Sequence, residues 1–149
     1  MAYTTNQLVR DESGFTNNTD LTEATLTSYV SMAHGAVVGF VARIYDATKL
    51  STNFTNSQAE AYLQSVETLW ASGLLLIKEY GAEAQDSDKN GYTKLNLAKS
   101  MLQDLEDEKI VLLDSNNAEY DRGSTNVGGK ISATGAVEGD NIFDVNDVF

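Results

Sequence analysis

Apolar residues recur along most of this chain at intervals of three or four positions, the spacing of a helix with one buried face. The first such stripe consists of Leu26, Tyr29 and Val30, Ala33, Val37, Phe40 and Val41, and Ile44. A second runs from Tyr62 to Tyr80, and a third from Leu95 to Leu105. Three long amphipathic helices that share an apolar face predict a small helical bundle.

Capping signals mark where two of these helices begin and where one ends. Residues 20–23 (DLTE) and 57–60 (SQAE) both match the capping box, in which an oxygen-bearing cap residue is followed three positions later by Glu. Gly81 predicts the end of the second long helix. Within the first long helix, Gly35 and Gly39 either weaken the helix locally or permit a neighbour to approach closely, and the sequence leaves both interpretations open.

Shorter elements flank the three long helices. Thr5 can cap a short helix over residues 6–12, which ends at Ser13-Gly14. Residues 110–113 (IVLL) are short, partly β-branched and followed by the turn-forming sequence DSNN, which predicts one strand and a turn. The fold class is therefore mainly α: a bundle of three to four helices over residues 1–121, with a short strand or hairpin, followed by an extended C-terminal arm, residues 122–149.

The arm combines glycine with apolar residues. Five of the eleven glycines lie between Gly123 and Gly139, and each raises the entropy cost of ordering the segment. Residues 142–149, hereafter the apolar segment, contain the candidate interface residues Ile142, Phe143, Val145, Val148 and Phe149. In an extended chain Phe143, Val145 and Phe149 share one side, a pattern that can add a strand to a partner. An unstructured terminus and a segment folded back on its own bundle are the alternatives.

Composition narrows the possible functions. The formal net charge of −12 argues against a groove that holds nucleic-acid phosphates, whereas an acidic wall would let DNA slide past without binding. A solvated acidic surface is the simpler interpretation. The chain has no cysteine, so thiolate metal sites and cysteine nucleophiles are excluded. Its start lacks the pattern of a secretory signal, and the longest apolar run, residues 74–77, predicts no membrane span.

One loop has a partial match to a metal-binding motif. Asp86, Asp88 and Asn90, followed by Gly91, have the alternate spacing of oxygen ligands in an EF-hand calcium loop. The twelfth position, which needs a bidentate glutamate, is Leu97. These residue types also form ordinary helix–helix turns, so we favour a plain turn over a weak calcium site.

Nothing else in the sequence indicates catalysis. His34 is the only histidine, no nucleophile elbow accompanies it, and we interpret it as a polar helix-face residue or an interface contact. No carboxylate is expected to stand isolated on an apolar face, where it could serve as an acid catalyst. The aromatic residues Phe40, Tyr62, Trp70 and Tyr80 are assigned to the core rather than to a ligand site. We therefore predict a protein that is not an enzyme and has no cofactor.

The order of features resembles the head–tail adaptor proteins of tailed bacteriophages, also called connector or head-completion proteins. The resemblance rests on the start MAYTT, the short helix ending in ESGF, the helix from Asp20 that contains Ala33-His34, the sequence KIVLLD at 109–114, and the ending FDVNDVF. It covers nearly the whole chain through patterns of helices and tails rather than invariant chemistry.

The resemblance implies a non-enzymatic virion protein of the head–tail neck, assembled in the host cytoplasm. It would form a homo-oligomeric ring of about twelve copies under the portal protein. That ring would extend the DNA channel and dock a stopper or tail-completion protein, while the apolar segment reaches a neighbouring subunit or the portal. The length and glycine content of residues 123–139 depart from the family pattern. Another neck or tail-completion protein is the alternative, and a weak calcium-binding helical protein is less favoured.

Overall fold

A computed structural model describes residues 2–16, 21–81 and 90–123. This part of the chain forms four helices: α1 (Asn6–Ser13), α2 (Glu23–Val41), α3 (Gln58–Tyr80) and α4 (Gly91–Glu106). Helix α3 lies at the centre and contacts each of the other three. The predicted mainly α bundle is confirmed.

The apolar stripe predicted for α2 is buried, and its residues belong to two separate core clusters. Its first half, with Leu26, Val30 and Ala33, packs with Val9 of α1 and one end of α3. Its second half, with Val37 and Val41, packs with α4 and the opposite end of α3. By length and composition alone α2 could also cross a membrane, but the central helices of folded bundles pass the same test.

The N-terminus of α2 differs from the prediction. The box over residues 20–23 would have required Asp20, which lies outside the described residues, to cap the helix. Instead Thr22 is the N-cap, and its hydroxyl accepts a hydrogen bond from the Thr25 N–H at 3.2 Å. The Glu23 carboxylate binds Arg10 and the Asn6 amide of α1 rather than the start of its own helix. This ion pair joins α1 to α2, so a tertiary contact displaces the local capping box.

The second predicted helix start is confirmed at Ser57. The Ser57 hydroxyl accepts from the Glu60 N–H at 3.0 Å, and the Glu60 carboxylate accepts from the Asn56 N–H at 2.6 Å. The far end of α3 is also as predicted, because Gly81 adopts a positive φ of 55° that favours glycine.

Replacing Ser57 with alanine should lower the free energy of unfolding by about 1 kcal/mol, because the Glu60 N–H loses its acceptor at a buried helix start. Urea denaturation would measure the loss. Ser65→Ala, on the exposed face of the same helix, is the matched control and should change stability by less than about 0.5 kcal/mol. Equal effects of the two substitutions would contradict the capping role.

Helix α1 is confirmed at both ends. The Thr5 hydroxyl accepts from the Leu8 N–H at 3.3 Å, and Gly14, with φ of 80°, ends the helix in the left-handed region. The observed helix is one residue longer than the predicted range of 6–12.

The strand predicted over residues 110–113 is reduced to one antiparallel bridge, Leu113 with Glu119, closed by a turn at 114–118. Two backbone N–H groups of this segment donate to side chains elsewhere in the bundle instead of to a neighbouring strand. The Leu112 N–H donates to the Tyr45 hydroxyl at 3.1 Å and the Leu113 N–H to the Gln58 side chain at 2.9 Å. Because these groups are satisfied by distant residues, no regular strand forms in the described part of the chain.

The first two residues of the predicted arm, Arg122 and Gly123, contact the bundle. Tyr45 and Arg122 form a second isolated antiparallel bridge, and the Gly123 N–H donates to the Ile44 carbonyl at 3.0 Å. The predicted interface residues Ile142, Phe143, Val145, Val148 and Phe149 lie outside the described residues.

Candidate functional site

One carboxylate is wholly buried in the bundle, at a position that was not predicted from the sequence. Glu67 of α3 has no exposed surface. It stands four residues after Leu63 and four before Ala71, both wholly buried, so the helical spacing itself contained the signal. Glu67 is buried because α3 is covered by the other three helices, which buries more than one of its faces.

The Glu67 carboxylate accepts three hydrogen bonds. The Tyr3 N–H donates at 3.2 Å and the Thr4 N–H at 3.3 Å. The third partner is His34 of α2, whose Nδ1 lies 3.1 Å from Oε2, the oxygen that also accepts from the Tyr3 N–H. The buried acid therefore joins the N-terminal segment and α2 to α3, and we call this group of four residues the N-terminal latch.

Two further hydrogen bonds hold the same segment on α3. The Gln64 amide donates to the Tyr3 carbonyl at 3.0 Å, and the hydroxyls of Thr4 and Thr68 lie 2.6 Å apart. The segment before α1 is thus fixed by both its backbone and its side chains.

His34 contacts other residues of its own chain and is not an isolated polar residue. Its side chain is 26% exposed, and its ring meets the Tyr3 ring edge to face at a centroid distance of 5.2 Å. Burial, helped by the nearby Glu67 charge, raises the pKa of the Tyr3 hydroxyl. The geometry gives His34 a positioning role in the latch, because it holds both the carboxylate and the Tyr3 ring.

The Tyr3 ring forms one side of an apolar cleft with a volume of about 310 Å³. The cleft lies between the end of α2 and the loop that leads to α3, and it is open to solvent on one side. Its lining consists of Tyr3, Val38, Val41, Ala42, Ala47, Leu50, Ser51, Phe54 and Thr55. Phe54 packs against the Tyr3 ring at a centroid distance of 5.3 Å, so the latch also shapes the cleft.

Gly123 lies close to the cleft. A Cβ placed on Gly123 would lie 3.7 Å from the Tyr45 carbonyl carbon and 3.8 Å from the Asp46 nitrogen. Tyr45 and Asp46 stand between Ala42 and Ala47, which both line the cleft. Gly123 therefore contacts the short segment that joins two of the residues lining this apolar cleft.

Three of the four predicted core aromatics are confirmed as packing against the core. Phe40, Tyr62 and Trp70 pack against the buried clusters, and Tyr80 stacks on Phe15 at 6.0 Å. The Tyr62 hydroxyl donates to the Met101 carbonyl at 2.8 Å, and burial raises its pKa to about 12. None of these rings is needed to explain the cleft.

Of the three candidate calcium ligands, the structure describes only Asn90. Asn90 is the residue before α4 and has a left-handed backbone with φ of 33°. Asp86 and Asp88 lie outside the described residues. In the described ranges no three acidic or histidine side chains cluster in a way that could hold a metal ion.

Comparison with family models, with curated proteins and with solved structures finds no match for this chain. The functional interpretation therefore depends on the bundle, the latch, the cleft and the sequence of the arm.

Proposed function

We propose that this protein is a structural part of a tailed-phage virion: a head–tail adaptor that forms a ring under the portal protein. The observation that carries the proposal is the position of Gly123. Gly123 packs on the bundle next to an apolar cleft, and the sequence that follows contains a glycine-rich stretch and then five apolar residues. A bundle with an apolar arm is suited to joining copies of itself and neighbouring proteins.

The distribution of charge supports a channel that DNA passes without being bound. The chain carries 22 acidic and 10 basic residues. At least six of the ten cations are already paired with carboxylates, namely Arg10, Arg43, Lys49, Lys94, Lys109 and Arg122. Pairing reduces the cations available to hold phosphates, so the surface favours DNA sliding over DNA binding.

In this mechanism the bundle docks on the portal, and the apolar segment binds its receiving surface there. Each contact can be weak, because a ring presents many copies at once and the later contacts form at high effective concentration. The stopper or tail-completion protein would then bind the opposite face of the ring.

The assignment is tested by mixing the purified protein with the portal ring from the same genome and weighing the products by native mass spectrometry. We expect a complex with about twelve copies of the chain, in keeping with a closed ring. Binding to a tail or stopper protein with no binding to the portal would instead assign another position in the neck. Calcium titration by calorimetry tests the remaining alternative, in which Asp86, Asp88 and Asn90 hold the ion.

Deleting residues 142–149 should leave a folded bundle that fails to join the portal, because the deletion removes the apolar side chains and no part of the described core. Circular dichroism and urea denaturation would check the fold, and native mass spectrometry the loss of the complex. A variant with Asn146 and Asp147 replaced by serine keeps all five apolar residues and is the matched control. Normal particle assembly with the deleted chain would refute the role of the arm.

A further inference from the structure

We propose that, before assembly, the apolar cleft binds the apolar segment of its own chain. The cleft would then be the storage site of the arm, and the arm would cover it until a stronger partner competes for the segment. This inference concerns the isolated subunit and does not depend on the portal assignment.

The chemistry of the cleft matches the segment. Val38, Leu50 and Phe54 present apolar surface to a concavity that no described residue fills. A volume of about 310 Å³ is at the lower end of the range for ligand pockets, about 300–1,000 Å³, and suits one or two bulky side chains rather than a large cofactor. Phe143 and Phe149 on one side of an extended segment are side chains of that kind.

The chain length makes binding in the same molecule favourable. Eighteen residues, 124–141, separate Gly123 from the segment. A glycine-rich linker of that length has a root-mean-square span of about 20–25 Å. Because Gly123 lies close to the cleft, a linker of this length would not need to be fully extended to reach it, and a tether of this length gives an effective concentration in the millimolar range. A second copy at micromolar concentration would compete poorly.

The absence of cysteine from the chain allows a direct test by disulfide trapping. The first variant combines Ser51→Cys, at an exposed position in the cleft lining, with Asp147→Cys, on the same side of the segment as Phe143 and Phe149. The control combines Asp147→Cys with Ser100→Cys, at an exposed position on α4 outside the cleft. Under mild oxidation of the full-length protein, we expect the cleft pair to form an intramolecular disulfide about tenfold faster than the control pair.

Two alanine pairs, introduced into the cleft variant, test which side of the segment binds. Phe143→Ala with Phe149→Ala should reduce the trapping rate to that of the control, whereas Ile142→Ala with Val148→Ala should retain most of it. Equal rates for the cleft and control cysteines would overturn the proposal. So would a disulfide-linked dimer as the main product, since it would place the segment in the cleft of a second copy. Because the portal is not used, failure here and failure of the adaptor assignment can be told apart.

Discussion

Replacing Glu67 with alanine should destabilise the bundle by about 3–5 kcal/mol, the largest effect that we expect from a single substitution outside the arm. The carboxylate is wholly buried and accepts from the Tyr3 N–H, the Thr4 N–H and His34. Its removal leaves these donors without an acceptor and opens a cavity in the core. The N-terminal segment should then detach from α3.

Two measurements separate this mechanism from a general loss of packing. Urea denaturation gives the free energy of unfolding, and hydrogen exchange reports whether the amides of Tyr3 and Thr4 lose protection before the core of α3 does. Detachment should also disturb the cleft, because Tyr3 lines it.

Two variants serve as controls. Glu67→Gln keeps the size and one acceptor oxygen, so we expect a smaller loss of about 1–2 kcal/mol. Glu79→Ala removes an exposed carboxylate from the same helix and should change stability by less than about 0.5 kcal/mol. If Glu67→Ala were as mild as Glu79→Ala, the latch would contribute little to the fold.

Replacing Gly73 with alanine should destabilise the protein by about 2 kcal/mol, although alanine is the better helix former. Helices α3 and α4 cross closely at this point. An added Cβ would lie 2.9 Å from the Gly91 carbonyl oxygen and 3.0 Å from the Leu95 nitrogen. Both are backbone atoms that cannot rotate away, so the two helices would have to separate. Thermal or urea denaturation would measure the loss.

Gly39→Ala in α2 is the matched control, and it should act in the opposite direction. No atom lies within 4 Å of a Cβ added there, so only the helix propensity changes. We expect a gain of about 0.5–1 kcal/mol. Opposite signs for two glycine substitutions in helices of one protein would establish that α3 and α4 depend on close contact at Gly73. If both substitutions changed the free energy of unfolding in the same direction, the proposed close contact at Gly73 would be contradicted.

These glycines show which structural features could not be predicted from the sequence. Gly35 and Gly39 were equally compatible with a close neighbour and with a local weakness. The structure places open space around both and the close approach at Gly73 and Gly91 instead. A glycine has no side chain whose polarity reveals its surroundings, so only the position of the neighbouring helix distinguishes the two cases.

The sequence by itself determined the features that depend on local spacing. The caps at Thr5 and Ser57, the stops at Gly14 and Gly81 and the buried stripe of α2 involve residues only a few positions apart. Their physical causes, unsatisfied backbone groups at helix ends and one apolar face in every turn, are present in any short window of the chain.

Only the tertiary structure decided the features that join distant residues. Glu67 binds residues 63 and 64 positions away, Leu112 donates to a hydroxyl 67 positions away, and the cleft combines Tyr3 with the loop after α2. No local pattern encodes such pairs. The burial of Glu67, the loss of the predicted strand at 110–113 and the shape of the cleft each depend on which surfaces meet when the other helices pack on α3. Long-range contacts with Ile44, Tyr45 and Asp46 likewise place Gly123 close to the cleft.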